Sequence, residues 1–226
     1  MERMARTGPD RKRGLSEEEG KRLERRVAEV ERRSGAQIVL AVVARSDSHP
    51  ELPWKAFALG TVAGGILAAA VAFGTPSWLP GLAAYLAVAA TLAGGLIGLL
   101  TCLLMPPFAR LLLDSQRAEA EARQYADSLF LDRELHATSA RSGVLLLVSL
   151  FERRVVLRPD RGLEARLGVG EMERVVARVT AELGSGSVAR ALTAGLDALA
   201  EVLGTVPGSA SGGDELPNKV IEEAGE

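Results

Sequence analysis

The sequence predicts an α/β fold, a mixed sheet between helical layers, interrupted by a transmembrane helical hairpin. Three observations lead there. Charged residues make up 25% of the chain, yet none of them falls between Ala56 and Ala109. On either side of that block stand short, continuously apolar runs, Ala36 to Val43 and Val144 to Leu150, of the kind that form strands buried on both faces. Around these runs, apolar residues recur at helical spacing against charged ones.

The first fourteen residues, MERMARTGPDRKRG, form a basic tail with no apolar core or small-residue cleavage site, so they do not read as a secretory signal. A helix follows. Ser16 and Glu19 have capping-box spacing, and Leu23, Val27 and Val30 share one face before Ser34-Gly35 ends the run. The strand from Ala36 to Val43 comes next. Its amides need neighbouring strands, so it cannot stand alone.

Residues 56–106 form the hairpin. A spanning helix needs roughly 20 apolar residues, and the block holds two such runs, Ala56 to Phe73 and Leu82 to Met105, separated by GTPSWLPG. Trp54 and Phe108 stand at one pair of ends, Trp78 and Tyr85 near the other. Gly60 with Gly64, and Gly94 with Gly98, have the small-xxx-small spacing that lets backbones approach closely, either within the hairpin or with a second copy as a homo-oligomer. The single cysteine, Cys102, lies in the same block and excludes an intramolecular disulfide. The nearest charges outside are basic, Lys55 and Arg110, so both termini are expected on the cytoplasmic side of the inner membrane, with two spans.

Beyond the hairpin, Leu111, Ala118, Ala122, Tyr125, Ala126 and Leu129 can line one helix face. Strands Val144 to Leu150 and Arg153 to Leu157 follow, joined through Phe151-Glu152 and so antiparallel. Two more helices, Val169 to Leu183 and Ser187 to Leu203, carry apolar faces and are separated by Gly184-Ser185-Gly186. The chain is thus read as one discontinuous α/β domain, residues 15–55 and 107–204, with residues 205–226 as a disordered tail.

These residues resemble the TPM domain family, found in photosystem-repair proteins and bacterial envelope proteins. The likeness is carried by SGAQIVLAVVARSD, ARQYADSLF, Thr138 ahead of RSGVLLLVSLFERRVVLRPDRGL, and the closing helix pair. It is strongest to bacterial membrane members in which a two-helix hairpin follows the first strand. It implies a Rossmann-like α/β/α sandwich and, as in some relatives, calcium binding or weak acid phosphatase activity. Other relatives act in complex repair or receptor modulation. Many members are exported, whereas the charges here place the domain in the cytoplasm.

Groups just past strand carboxyl ends share a crevice in open α/β sheets. Asp47 and Asp160 each follow a strand, so if these ends adjoin, their carboxylates can hold Ca²⁺ or Mg²⁺ with Ser46 or backbone carbonyls; alternatively Asp47 caps the SDSHPE loop and Asp160 makes the PDRG turn. Arg153, Arg154 and Arg161 can grip a phosphate, an acidic partner or lipid headgroups, or Glu152-Arg153-Arg154 decorates a solvated turn. His49 and His136 read as solvated loop residues. Gly168 and Gly170 precede a helix whose N-terminus can attract an anion.

The net charge of −2 gives no general pull toward nucleic acid. No GxSxG elbow, phosphate loop, dinucleotide fingerprint or HExxH occurs. Spans without ionisable residues offer no ion path. The expected function is therefore a membrane-anchored binding or regulatory module for a membrane protein assembly. The alternative is a weak metal-dependent phosphoesterase using Asp47, Asp160 and nearby arginines.

Overall fold

The computed structural model describes residues 15–74, 80–204 and 217–225. Ser46 and Asp47 mark a boundary between two compact units: one holds the chain up to Ser46 and from Glu119 onward, the other is Asp47–Ala118.

In the first unit the chain opens with α1, Glu17–Ser34. The capping box forms as its spacing predicts: the Glu19 amide donates to Ser16 Oγ at 3.2 Å, and the Ser16 amide donates to Glu19 Oε2 at 2.8 Å. The Ser16 amide, and the Ser16 hydroxyl that donates to the same oxygen at 2.7 Å, hold the Glu19 carboxyl below its ordinary pKa. A depressed carboxyl stabilises the fold above its unfolded pKa, and that contribution is lost as the pH falls through the folded value. Ser16→Ala is therefore expected to cost about 1 kcal/mol near neutral pH, with the difference from wild type shrinking in acid; urea unfolding at about pH 7 and about pH 3 checks it. Gly35, at φ 70°, ends the helix in the left-handed conformation that glycine adopts without strain.

β1, Gln37–Arg45, lies beside β2, Gly143–Ser149, and pairs with it in parallel, Gln37 opposite Gly143 and Val43 opposite Ser149. Parallel neighbours need a crossover, and here it contains the apolar helices. β3, Arg154–Pro159, returns antiparallel to β2, and β4, Ile221–Gly225, adds to the other side of β1 in parallel, giving the order β3-β2-β1-β4. β4 corrects the expectation of a tail without structure: residues 221–225 find backbone partners on the open edge of β1. Residues 205–216 lie outside the described residues.

Both faces of the sheet are covered, which is why β1 and β2 are continuously apolar. Alternation decides the faces. Ile38, Leu40, Val42, Val144, Leu146 and Val148 meet α1, α6 (Val169–Gly184) and α7 (Val188–Leu203). Val39, Ala41, Val43, Leu145 and Leu147 meet Ala126, Leu129 and Phe130 of α5, Ser115–Asp132. α7 buries Leu192, Leu196, Leu199 and Leu203, the face its spacing predicts, and Ser187 caps it.

The second unit contains α2, Glu51–Gly74, and α3, Pro80–Leu104, then the short α4, Pro106–Leu111. Pro106 and Pro107 separate α3 from α4, having no amide to continue the ladder. The Arg117 amide donates to Asp114 Oδ1 at 2.9 Å, so a new helix starts here. Leu111 consequently belongs to α4 and is exposed, not part of the α5 face expected of it.

α2 and α3 are long and apolar enough to cross a membrane, with mean hydropathies of 2.0 and 2.1 over their most apolar 18 residues. Only 11% of each such stretch is buried. The glycines explain how the two helices meet. A Cβ on Gly60 would lie 2.2 Å from the Gly94 carbonyl oxygen, one on Gly64 2.5 Å from that of Ala90, and one on Gly98 2.3 Å from that of Ala56. Both small-residue faces are thus used inside the hairpin.

Candidate functional site

The parallel strands β1 and β2 end together, and the chain there builds a polar clasp. After β2 the backbone continues along β1, the Leu150 amide donating to the Val43 carbonyl and the Phe151 amide to the Ala44 carbonyl, both at 3.0 Å. Arg153, at φ 53°, then takes a left-handed conformation that turns the chain into β3. This reversal folds Glu152 back under the strand ends.

Glu152 is buried, 6% exposed, and its carboxylate ties the two strands together. Oε1 accepts from the Ser46 amide at 3.0 Å, and Oε2 accepts from the Ser149 hydroxyl. The Ser46 hydroxyl is buried beside it with no hydrogen-bond partner. Phe151 packs below, with the Arg45 guanidinium 4.3 Å from its ring centre. The solvated-turn reading of Glu152-Arg153-Arg154 is therefore corrected for Glu152: two donors at the strand ends satisfy its charge inside the fold. Arg153 is exposed, and Arg154 is half-buried.

Asp160 lies elsewhere. Because β3 runs antiparallel, its start pairs with Ser149, at the end where β1 finishes, and its end pairs with Val144. Asp160 thus follows β3 at the opposite end of the strands, about 20 Å away at 3.3 Å per residue. Its amide donates to the Gly143 carbonyl at 2.8 Å, and Oδ1 accepts from the Arg161 amide at 2.8 Å, the turn role. Oδ2 is buried without a partner.

Asp47 also takes the loop role, Oδ1 accepting from the Ser48 amide at 2.8 Å. The strand ends that precede Asp47 and Asp160 do not adjoin, so the premise for a shared Ca²⁺ or Mg²⁺ is corrected by topology. Among the described residues, no group of three or more His, Cys, Asp or Glu is arranged to hold a metal ion. The donor set does not suit the cation. Arg161 goes with Asp160 to the far end of β3 and is separated from Arg153 and Arg154, so the three arginines form no common anion site.

The histidines differ from expectation as well. His49 is 1% exposed, with Nδ1 3.5 Å from Asp47 and 3.8 Å from Glu51. Its positive φ of 48° belongs to a loop that closes on itself, where the Leu52 amide bonds the His49 carbonyl at 3.1 Å. His136 is half-buried in the single turn Leu135–Ala137.

Gly168 caps α6 with no side-chain bond and borders an open groove of about 600 Å³. Arg166, Arg174 and Arg178 line it with Glu171 and Glu201. Its charges answer one another: Arg174 pairs with Glu171, Arg178 with Glu201 at 2.9 Å, and Arg166 donates to the Ser34 carbonyl at 3.1 Å. No hydroxyl, thiol or imidazole lines it, and its carboxylates, Glu171 and Glu201, are each held by an arginine. At the strand ends Glu152 braces β1 against β2.

Sequence reasoning missed Glu152 and β4. The signal for Glu152 was Ser149 three residues earlier, beside an apolar Phe151 that a solvated turn does not need.

Residues 110–202 match the family model of the TPM domain. The NMR structure of BA42 protein from the psychrophilic bacterium Bizionia argentinensis aligns over 92% of this chain and 94% of its own, with a TM-score of 0.53 and 13% identity. That likeness concerns the fold. No curated protein gives a significant match.

Proposed function

We propose, from the premise that this chain carries a TPM domain across residues 110–202, that it is a membrane-anchored binding or regulatory module for a membrane protein assembly. The observation that supports it most is the outer surface of α2 and α3. Ile66, Leu86 and Ile97 are each more than 60% exposed, in helices whose flanks alone carry charge. Water does not tolerate a contiguous apolar surface of this length, whereas lipid does. Lys55 and Arg110 flank the hairpin and favour both arms on the cytoplasmic side.

Tethering raises the effective concentration of the α/β unit at a membrane partner. The parting of the Asp47 and Asp160 strand ends favours recognition over metal-dependent hydrolysis. In the test, a Ser77→Cys, Cys102→Ser chain is labelled in intact cells with a membrane-impermeant maleimide, then crosslinked in native membranes. Labelling without permeabilisation and a reproducible crosslinked membrane protein are expected. Recovery of the chain from a detergent-free supernatant, or no partner with several crosslinker lengths, overturns the reading.

A further inference from the structure

The outer edge of β1 is covered by the last described residues of the chain. β4 pairs there in register, Ala41 with Ile221, Val42 with Glu222, Val43 with Glu223 and Arg45 with Gly225. Its side chains are read one by one. Val220 joins the core on the α1 side, and Ile221 packs on the α5 side. Glu222 accepts from the Leu15 amide at 3.1 Å. Glu223 accepts from the Tyr125 hydroxyl at 2.7 Å and from the Arg133 guanidinium at 2.8 Å.

Gly225 is fixed by space as well as conformation. At φ 76°, a Cβ on it would lie 1.6 Å from the Arg45 carbonyl oxygen. The edge therefore specifies an acid two residues before glycine, with an apolar residue two before that acid.

Every residue of β4 is half-buried or exposed, whereas β2 is buried throughout. Most of what holds β4 is backbone pairing and the contacts of its two acids, the features that strand addition uses for peptide recognition. Between α7 and β4 the sequence is TVPGSASGGDELPNKV, rich in Gly, Ser and Pro, a composition that supplies its strand as a tethered intramolecular ligand.

We propose that the outer edge of β1 is a docking site for a parallel, acidic strand of a partner protein, and that β4 is the autoinhibitory occupant which such a strand displaces. The partner segment is extended, with the pattern apolar-x-acid-x-Gly, its acid seated between Tyr125 and Arg133. This rests on the binding-module reading and names the surface that does the binding. It makes the C-terminal segment a competitor that keeps the edge closed until a partner is concentrated beside it on the membrane.

The test uses the full chain in detergent and the synthetic peptide NKVIEEAGE. Gly225→Val is expected to unseat β4, speeding hydrogen exchange at Ala41 to Arg45, and to let the labelled peptide bind and restore protection, while wild type binds it at least about tenfold more weakly because its own tail competes. A peptide carrying Glu223→Lys is expected to bind the Gly225→Val chain about tenfold less well. Arg133→Glu, which leaves the backbone pairing intact, is expected to reverse that preference and covers the case in which Gly225→Val does not fold. Unchanged exchange at the β1 edge, or binding indifferent to the charge at position 223, overturns the proposal. These readings need no native partner, so a failed crosslinking search with intact peptide capture sinks the assembly role alone.

Discussion

Gly94→Leu is expected to separate the two apolar helices. A Cβ at this position meets the Gly60 carbonyl oxygen at 2.4 Å and Gly64 Cα at 3.0 Å, and both are backbone atoms that cannot rotate away. Side-chain burial adds little between helices in lipid, so close backbone packing is what holds the hairpin. Overpacking by a whole leucine costs about 3 kcal/mol or more at such a contact. Thr61 and Gly95 also approach closely, a Gly95 Cβ lying 2.5 Å from Thr61 Oγ1. In a Cys102→Ser background, Thr61→Cys with Gly95→Cys should form a disulfide under mild oxidation. Adding Gly94→Leu should abolish it, and an undiminished crosslink would refute the packing described.

Glu152→Ala should destabilise the α/β unit by about 2–6 kcal/mol, the sum of two buried donors left unsatisfied. The Ser46 amide and the Ser149 hydroxyl both lose their acceptor, and no water-exposed route replaces it because Ser46 is 5% and Ser149 1% exposed. Glu152→Gln should lose less, since the amide oxygen still accepts one of the two bonds. Arg153→Ala, on the exposed turn beside it, should change little. Thermal unfolding of the detergent-solubilised chain, followed by far-ultraviolet circular dichroism, separates the three. Equal midpoints for Glu152→Ala and Arg153→Ala would show that the clasp is not structural.

The two expectations differ in how visible they were. The glycines of the hairpin announced themselves by spacing within an uncharged run. Glu152 did not, because a Glu-Arg-Arg turn is usually solvated, and only the continued pairing of Leu150 and Phe151 with β1 draws it inward. His49 shows the same limit: a polar residue in a Ser-Asp-Ser-His-Pro loop reads as exposed until the loop closes over it. β4 was hidden for another reason. Its IEEAG segment is too short and too acidic to carry a strand pattern, and it becomes a strand only because β1 offers unpaired backbone groups.

By itself the sequence determined what depends on local pattern: the capping box of α1, the burial of β1 and β2 on both faces, the apolar faces of α6 and α7, and two charge-free runs long enough to span a bilayer. Those follow from periodicity and composition, which a linear chain displays. Tertiary structure alone decided which strand ends meet. β3 turns back antiparallel and carries Asp160 and Arg161 to the opposite end of the strands, Glu152 goes inside, and the chain's last described residues close the edge of β1. Strand order is set by backbone hydrogen bonds between residues distant in sequence, and side-chain pattern does not encode their partners.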